Sequence, residues 1–411
     1  MTAPISGWTR TIGTAAVLLL LSTAACTSDD DDADDTDGGD TATATATGGG
    51  GVTVPDATET ATATATDSAA TTPATTGATG EDTVVTAAQE GSRLAAVQDA
   101  GVLRCGTRDE LPGFAFLDEA GEHVGFDADF CRVIAAAVLG DATAVEFVDL
   151  ETPDRFTALQ SGEIDVLVRN TTWTATRDGA EGATFLHPTF YDGQGMMVAA
   201  DSGFAALTDL NNVIVCVAQG TTTEGNAAAE AARLGLTWEV RAFEDTDLIQ
   251  QAFEAGQCDA WSSDVSQLTG FRSTYPAGPE ALTILPEVFS KEPLAPAVAD
   301  GDSEWAQAVN WAILATIQAE ELGISSENID TFADTQDTNI LRFLGLEVPG
   351  EDGAAVLDPG LGLAPDFGAQ VVSQVGNYAE IFDAHLTPLG LARGVNALWT
   401  DGGLQYAPPY R

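Results

Sequence analysis

The chain has 411 residues, and 63 acidic residues against 15 lysines and arginines give it a formal net charge of −48. This charge argues against nucleic acid and anionic membrane surfaces as partners, because proteins bind both through Lys and Arg. Lys291 is the single lysine, and such a composition is typical of proteins that stay soluble in a salty, halophilic setting, where salt screens the charges. Steering of cationic ligands is the alternative role for the charge.

Residues 1–26 predict an export signal. A basic flank precedes an apolar run at 12–21, which is too short to span a bilayer, since a spanning helix needs about 20 residues. Small residues before Cys26 resemble a bacterial lipobox, although Thr23 stands where leucine is usual. We therefore expect a lipid anchor on Cys26, with ordinary signal cleavage near Ala25 as the alternative.

Residues 27–91 are mostly Asp, Thr, Ala and Gly in low complexity. Such a segment cannot bury enough apolar surface to fold. We expect a disordered acidic tether, and about sixty flexible residues would have a root-mean-square span of roughly 40–45 Å.

From residue 92 onward, short apolar runs alternate with segments of helical period, a pattern that predicts an α/β fold with mainly parallel sheets. Val102–Thr107 predicts the first strand. Asp127 is then expected to cap a helix that ends at Gly140. The predicted apolar face of that helix consists of Phe130, Val133, Ile134, Ala137 and Val138.

Two segments, 155–170 and 248–264, resemble copies of one unit. Each predicts a short helix ended by glycine, then an aspartate, then an apolar strand with a polar end; these glycines and aspartates are Gly162 and Asp165, then Gly256 and Asp259. Two α/β lobes follow, and ligands of open α/β sheets bind beyond the carboxyl ends of the strands. The polar ends are therefore expected to face one interlobe cleft; they are 169–172 in one lobe and 262–264 in the other.

Once Cys26 is assigned to the anchor, four cysteines remain in an oxidising compartment, and they permit three pairings. They divide two and two between the predicted lobes. The expected disulfides are therefore Cys105–Cys131 and Cys216–Cys258, with free buried cysteines as the alternative.

The segment 169–177, RNTTWTATR, predicts a carboxylate socket, because a guanidinium and helix-start N–H groups both bind carboxylates. A surface salt bridge is the alternative for Arg177. Residues 219–224 predict a helix start with N–H groups free for an anion. Asp264, at a strand exit, suits an ammonium group, and a helix cap is its alternative.

The chain resembles the amino-acid-binding solute receptors of family 3, and within them the general L-amino-acid-binding branch. The resemblance spans about 102–411 and rests on GVLRCGT, GFDADFCRVIAAAVLGD, RFTALQSGEIDVLVRNTTWTATRD, TFYDGQGMMV, QGTTTE, AGQCDAWSSD, SKEPLAP and RGVNALWTDGGLQYAPPYR. It implies a two-lobed, periplasmic-binding-protein-like α/β fold of type II with two crossover segments. The implied lobes are 92–195 plus 292–411, and 196–291.

By the same resemblance, Arg177 would hold a ligand α-carboxylate, helped by N–H groups of Thr172 and Thr222. Asp264 and the Asn170 region would receive the α-ammonium. The side-chain subsite would be lined by Arg108, Phe114, Thr152, Arg169 and Lys291.

Many narrower relatives carry an aromatic residue at the place of Thr152. Its absence here suggests a broad or polar side-chain preference.

The resemblance implies capture of free L-amino acids by lobe closure and their delivery to an ABC permease and its ATPase. We expect a monomer outside the cytoplasm, held at the membrane by its lipid or periplasmic. The three histidines are scattered and no catalytic or metal motif is present, so no enzyme, cofactor or metal is expected. A sensor ectodomain and a cleft dehydratase on the same fold are the alternatives.

Overall fold

The computed structural model describes residues 86–350 and 353–411. The expected export signal, the lipid anchor at Cys26 and the tether as far as residue 85 lie outside the described residues. Thr86 donates hydrogen bonds from its backbone nitrogen and from Oγ1 to a carboxylate oxygen of Asp358, at 2.6 and 2.7 Å. The chain therefore contacts the folded body from residue 86 onward.

The strands of the described residues are short. They are β1 (Leu103–Thr107), β2 (Glu110–Leu111), β3 (Ala115–Leu117), β4 (His123–Val124), β5 (Val145–Asp149), β6 (Val166–Leu167), β7 (Ala183–Phe185), β8 (Phe190–Asp192), β9 (Gln194–Ala199), β10 (Val213–Ala218), β11 (Trp238–Phe243), β12 (Ala260–Asp264), β13 (Leu282–Ile284), β14 (Glu292–Leu294), β15 (Ala297–Ala299), β16 (Glu347–Gly350) and β17 (Gly353–Val356).

The α-helices of the described residues lie between these strands and in the C-terminal part. They are α1 (Arg93–Ala100), α2 (Phe126–Leu139), α3 (Arg155–Ser161), α4 (Ala175–Ala180), α5 (Thr222–Leu234), α6 (Thr246–Glu254), α7 (Val265–Ser273), α8 (Ser303–Leu322), α9 (Thr338–Phe343), α10 (Phe367–Gln374) and α11 (Tyr378–His385). None of them combines the length and hydropathy that a membrane crossing requires.

Two five-stranded sheets form two lobes with one shared topology. The first sheet has the order β5-β1-β6-β15-β7, and the second has the order β11-β10-β12-β9-β13. In each sheet the first three strands are parallel, and the fourth runs antiparallel to its neighbours. The fold is therefore the expected two-lobed α/β architecture, with an antiparallel strand inserted into each sheet.

The two inserted strands follow the crossings between the lobes. The chain leaves the first sheet through β8 and enters the second at β9, and it returns through β14 to β15. Strands β8 and β14 pair antiparallel, with Asp192 opposite Glu292. The two expected crossover segments therefore form one two-stranded ribbon.

Helix α2 ends at Gly140, as expected, and buries the predicted apolar face. The prediction that Asp127 caps this helix is wrong, because α2 begins at Phe126 and its N-cap is Gly125, two residues before Asp127. Asp127 is instead buried in the first turn, where its Oδ2 accepts a hydrogen bond from the backbone nitrogen of Asn170 at 2.7 Å. Asn170 has a φ of 32°, which few non-glycine residues adopt, and this hydrogen bond holds it there.

The two units expected to be copies make equivalent contacts. Asp165 accepts a hydrogen bond from the backbone nitrogen of Arg104 in β1, and Asp259 accepts one from Ile214 in β10, both at 2.8 Å. Each aspartate therefore fixes the strand that follows it, β6 or β12, to the neighbouring parallel strand, β1 or β10.

One disulfide stabilises each lobe. Cys105–Cys131 joins β1 to α2, and Cys216–Cys258 joins β10 to the loop before β12. This is the pairing expected from the division of the cysteines between the lobes.

The C-terminal part packs on the first lobe and holds the crossover. Helix α8 lies against α2 and α10. Asn396 accepts a hydrogen bond from the backbone nitrogen of Tyr191 and donates one to its carbonyl oxygen, at 2.7 and 3.0 Å. Tyr378 donates its hydroxyl to the carbonyl oxygen of Thr189 at 2.7 Å. The tail therefore fixes the segment that leads into β8.

Candidate functional site

A small cavity lies between the lobes, where the strands of both sheets end. Its volume is about 30 Å³. The first lobe contributes Arg108, Thr152, Arg155, Arg169, Asn170, Thr172 and Arg177, and the second contributes Ala218, Thr221, Thr222, Thr223, Ser263, Asp264 and Gln267. The lining is polar throughout except for Ala218, which favours a charged solute over an apolar one.

Four buried arginines dominate the first-lobe wall. Their exposed fractions lie between 2 and 8 %. Arg108 follows β1, Arg155 opens α3, Arg169 follows β6, and Arg177 lies in the first turn of α4. Burial of so many cations in one wall is costly unless anions approach them, so the cavity is built to receive negative charge.

Arg177 is held by its own helix. The hydroxyl of Thr174 caps α4 and accepts a hydrogen bond from the Arg177 nitrogen at 3.2 Å. The guanidinium donates to the carbonyl oxygen of Thr172 at 2.9 Å and to that of Gly220, in the other lobe, at 3.4 Å. Burial lowers the pKa of Arg177, and the nearby carboxylates of Glu292 and Asp264 oppose that shift.

Arg155 and Arg169 are both anchored on Thr152. Arg155 Nε donates to the Thr152 carbonyl oxygen at 2.9 Å, and Arg169 Nη2 donates to the Thr152 hydroxyl at 3.2 Å. Burial lowers the pKa of Arg169 to about 9, with the charge of Arg108 as the next cause. Thr152, at the position where many narrower relatives carry an aromatic residue, therefore holds two cations side by side.

Arg108 differs from the other three arginines because it has an anionic partner. It forms a salt bridge with Glu110 and donates to Thr246 of the second lobe at 3.0 Å. It also donates to the side-chain oxygen of Asn170 at 3.3 Å. Part of its charge is therefore already compensated within the protein.

Asp264 faces these cations from the second lobe. It ends β12 and stands at the N-cap position of α7, but its side chain makes no capping hydrogen bond. Its Oδ1 is buried without a hydrogen-bond partner among the described residues. Burial raises the pKa of Asp264 well above the usual range, and the nearby Asp192 and Glu292 add to this shift. A buried carboxylate oxygen without a hydrogen-bond partner is unfavourable, and an ammonium group is a donor that would satisfy it.

The start of helix α5 closes the second-lobe wall. Its first backbone N–H groups have no partner within the helix, and Thr221, Thr222 and Thr223 all line the cavity. The Thr222 hydroxyl donates to Glu292 in the crossover strand β14 at 2.8 Å. Gln194, in β9, donates to the Thr223 carbonyl oxygen at 3.0 Å. The crossover residues therefore fix this helix start against the cavity.

Eight of the ten residues expected to bind ligand line this one cavity, and two do not. Phe114 is buried away from it, with its ring centroid 5.8 Å from that of Phe126 and 5.5 Å from that of Phe190. Lys291 is exposed and lies in a separate surface groove of the second lobe with Glu230 and Phe289. Neither residue can contact a solute in the interlobe cavity in this conformation.

The list of expected ligand-binding residues omitted several members of the lining, of which Arg155 is the most consequential. Its position at a predicted helix start is one where an arginine is usually solvated. Ser263 lines the cavity, as its place at a polar strand end predicts, whereas Gln267 is not among the expected site residues. Gln267 accepts a hydrogen bond from the Ser263 hydroxyl at 2.7 Å, and its place in the first turn after Asp264 was the available signal.

Residues 103–327 match the family model of the bacterial extracellular solute-binding proteins, family 3. The chain is 44 % identical over 327 residues to the general L-amino acid-binding periplasmic protein AapJ of Rhizobium johnstonii, covering 79 % of this chain and 94 % of that one. It is 43 % identical over 332 residues to the glutamate/glutamine/aspartate/asparagine-binding protein BztA of Rhodobacter capsulatus, covering 80 % and 96 %.

A solved structure of a periplasmic binding protein is also similar to this chain. The periplasmic binding protein of an ABC transporter from Brucella ovis, with glutathione bound, superimposes with a TM-score of 0.74 at 41 % identity. The superposition covers 78 % of this chain and all of that one.

Proposed function

The chain belongs to family 3 of the bacterial extracellular solute-binding proteins, and from that premise we propose that it captures free L-amino acids and delivers them to an ABC importer. AapJ and BztA are amino-acid-binding proteins by name, and both match along nearly their whole lengths. The family is one of binding proteins that act outside the cytoplasm.

The observation that carries the proposal is the opposition of Arg177 and Asp264 across one cavity. A free amino acid carries a carboxylate and an ammonium group on the same carbon. In our proposal Arg177 and the N–H groups of Thr172 and Thr222 bind the α-carboxylate, while Asp264 and the Asn170 region bind the α-ammonium. The ligand carboxylate and the ligand ammonium would each lose their hydrating water on binding and gain an oppositely charged partner in its place.

Lobe closure would follow from this division of contacts. Residues 92–195 plus 292–411 would form one rigid body and 196–291 the other, with the β8–β14 ribbon as the hinge. Because the carboxylate partner and the ammonium partner lie in different lobes, a zwitterion would favour the closed conformation, which the permease would recognise.

We also propose how the protein is held at the outer face of the cell membrane. Cys26 would carry a lipid, and the tether would run from residue 27 to residue 85, because Thr86 and Gln89 already hydrogen-bond to the folded body. The receptor would act as a monomer beside the permease and its ATPase. In detergent phase separation of cell extracts, the wild type should partition into the detergent phase and Cys26→Ser should not. A Cys26→Ser variant that still enters the detergent phase would contradict the lipid anchor.

The proposal assigns no catalytic step. Paired Arg177 and Asp264 suit retention of a zwitterion, and the alternative of a cleft dehydratase requires turnover of a bound substrate. Incubation of the purified protein with amino acids, followed by product analysis, separates the two. Binding without turnover supports a receptor, and a sensor ectodomain is distinguished from an importer subunit by uptake measured in cells that lack the protein.

Calorimetry with modified ligands tests the zwitterion directly. We expect an L-amino acid to bind, whereas its methyl ester, which lacks the carboxylate, and its N-acetyl derivative, which lacks the ammonium, should both bind at least about a hundredfold more weakly. Equal affinity for all three would contradict the proposal.

A further inference from the structure

We propose that the C-terminal tail presents a docking surface for the permease, and that the permease binds it with an apolar segment that carries Lys or Arg. The surface consists of the tail platform, which we define as Val395, Trp399, Leu404 and Tyr406, and of the cavity beside it. The proposal rests on the proposed function, because delivery of an amino acid requires contact with a permease. It names where that contact lies on this chain and which chemistry it uses.

The tail platform groups large apolar side chains that folded proteins usually bury. Its four members are 50–54 % exposed, and they are four of the eight large apolar side chains that the described residues expose. The rings of Trp399 and Tyr406 lie 5.7 Å apart. The backbone nitrogen of Leu404 donates to the carbonyl oxygen of Val395 at 2.8 Å. Exposed apolar side chains that are contiguous in this way mark interaction sites, whereas scattered ones need no explanation.

A cavity of about 810 Å³ continues the tail platform. Tyr406 lines it, and so does Trp173, which is 38 % exposed and stacks on Phe185 with the ring planes 5° apart. Trp311, in α8, and Pro408 line it as well. A cavity of this size can receive bulky side chains of a partner. Exposed Trp and Tyr suit such a contact, since these residues are enriched at the energetic centres of protein interfaces.

Hydrogen bonds to the folded body hold the tail platform in place. Gln405, in its middle, is fully buried, and its side-chain nitrogen donates to the carbonyl oxygen of Thr189 and to the hydroxyl of Tyr378, at 3.3 and 3.2 Å. Trp399 Nε1 donates to Glu321 Oε1 at 3.0 Å. A surface that is already ordered loses little conformational entropy on binding, so these aromatic side chains are preorganised for a partner.

Both parts of the surface reach the ribbon that joins the lobes. Asn396, in the tail, exchanges hydrogen bonds with the backbone of Tyr191 in β8, at 2.7 and 3.0 Å. Trp173, in the cavity wall, donates its backbone nitrogen to the carbonyl oxygen of Pro293 in β14 at 2.8 Å. Tyr191 and Pro293 lie opposite each other in the ribbon. A permease docked on this surface would therefore contact the first lobe next to the proposed hinge.

The charges around the surface determine the chemistry of the partner. Glu321 accepts the hydrogen bond of the Trp399 indole, and Asp401 ends the 3₁₀ turn that Trp399 begins. Arg393 is paired with Glu320 at 3.1 Å. Among the described residues that line the cavity there is one aspartate, and neither Lys nor Arg. This acidic border favours a partner segment that carries Lys or Arg.

The same charges argue against other occupants of the surface. A second copy of this chain would bring the same acidic border and a net charge of −48, so two platforms would repel each other. The tether, residues 27–85, contains acidic residues and no Lys or Arg, and an anionic lipid surface carries the same sign of charge. The permease is the partner that the proposed function itself requires, and basic residues beside its apolar contacts would complement the border.

Serine substitutions separate docking from amino-acid binding. Val395→Ser and Trp399→Ser remove apolar side chains from the tail platform. Val288→Ser is the matched control, because Val288 is 57 % exposed in the separate groove of the second lobe. Calorimetry should give all three purified variants the wild-type Kd for an L-amino acid. Uptake of the labelled amino acid by cells that make only the variant should fall in both platform variants, at least about fivefold in Trp399→Ser, and stay unchanged in Val288→Ser.

Charge reversal tests the chemistry of the partner. Asp401→Lys should lower uptake without changing the Kd for the amino acid, because a cation would then face the Lys or Arg of the permease. Asp99→Lys changes the net charge by the same amount on exposed α1 of the first lobe, and it should leave uptake unchanged. Equal uptake by the two variants would reject the basic character of the partner segment.

Photo-crosslinking identifies the occupant directly. Tyr406 replaced by p-benzoylphenylalanine should, on irradiation of intact cells, give an adduct whose peptides belong to the permease. An adduct with a second copy or within the same chain, or no adduct, overturns the proposal. Wild-type uptake by Trp399→Ser also overturns it, and if that variant does not fold, Val395→Ser and the crosslink decide. Failure of the wild type to bind any amino acid would instead overturn the proposed function.

Discussion

Arg177 Nη2 lies 3.4 Å from the carbonyl oxygen of Gly220, across the cleft between the lobes. The carbonyl is a weak partner for a buried cation, because it carries no full charge. The same carbonyl oxygen is 3.4 Å from Arg155 Nη2. Two guanidinium groups of one lobe therefore converge on the start of α5 in the other, which is where a bound carboxylate would be received.

Arg177→Ala should weaken amino-acid binding by about 3–5 kcal/mol, because a buried ligand carboxylate would lose its charged partner. Calorimetry on the variant measures the effect. Arg233→Ala, on the exposed face of α5 beside Glu230, is the control and should bind as the wild type does. A variant that folds and retains full affinity would show that Arg177 does not hold the carboxylate.

Binding should weaken as pH falls, because the ligand ammonium needs the ionised form of Asp264. Burial, Asp192 and Glu292 raise the pKa of Asp264, whereas Arg177 and Arg155 oppose the shift. Affinity measured from neutral pH downward should fall through the raised pKa, and Asp264→Asn should bind more weakly at neutral pH with little dependence on pH. An affinity of the wild type that does not change over this range would contradict the role of Asp264.

The stability of the unliganded protein should change with pH in the opposite direction. Between the ordinary carboxyl range and the raised pKa, folded Asp264 holds a proton that the unfolded chain has released. The free energy of unfolding therefore falls as pH rises through this window. Asp127 and Asp192, whose pKa values burial raises to about 6, contribute with the same sign. Chemical denaturation across this window, without ligand, measures the slope, and a rise in stability with pH would oppose this account.

Removal of either disulfide should destabilise its lobe. The bonds close segments with sequence separations of 26 and 42 residues, for which loop-closure entropy predicts about 3–4 kcal/mol each. Paired cysteine-to-alanine variants, examined by denaturant unfolding, should show this loss. Equal stability of the variant and the oxidised protein would indicate that packing alone holds the strand.

The C-terminal tail should stabilise the crossover. Asn396→Ala would leave the backbone nitrogen and carbonyl oxygen of Tyr191 without their partner, at a cost of about 1–3 kcal/mol. Asn396→Asp keeps the acceptor for the Tyr191 nitrogen and should lose less. Denaturant unfolding compares the two variants, and an alanine variant as stable as the wild type would exclude this role of the tail.

The sequence predicted those parts of the site that follow from the position of a strand end. Asp264 ends β12, Arg177 lies in the helix that follows β6 along the chain, and the carboxyl ends of strands in both sheets face the cleft. The glycines and aspartates of the two repeated segments likewise identified two equivalent units, and the division of the cysteines between them predicted the pairing that the structure has.

Other features depended on packing that no local pattern reveals. Phe114 follows a turn as a ligand-stacking residue would, but it packs instead on Phe126 and Phe190. Asp127 is a residue type that commonly caps helices, but Asn170, 43 residues away in the loop after β6, hydrogen-bonds to it instead. Arg155 is an ordinary helix-start residue until the second lobe covers it. Such contacts are set by the tertiary fold, so sequence spacing could not place them.

Thermal melting of the purified protein against the twenty L-amino acids singly, at high and low salt, tests the central claim most directly. Ligands that bind the folded state raise the melting temperature. The account predicts a rise with several L-amino acids, and a smaller rise in Arg177→Ala. A protein that melts cooperatively, with no shift from any amino acid at either salt concentration, would contradict amino-acid capture.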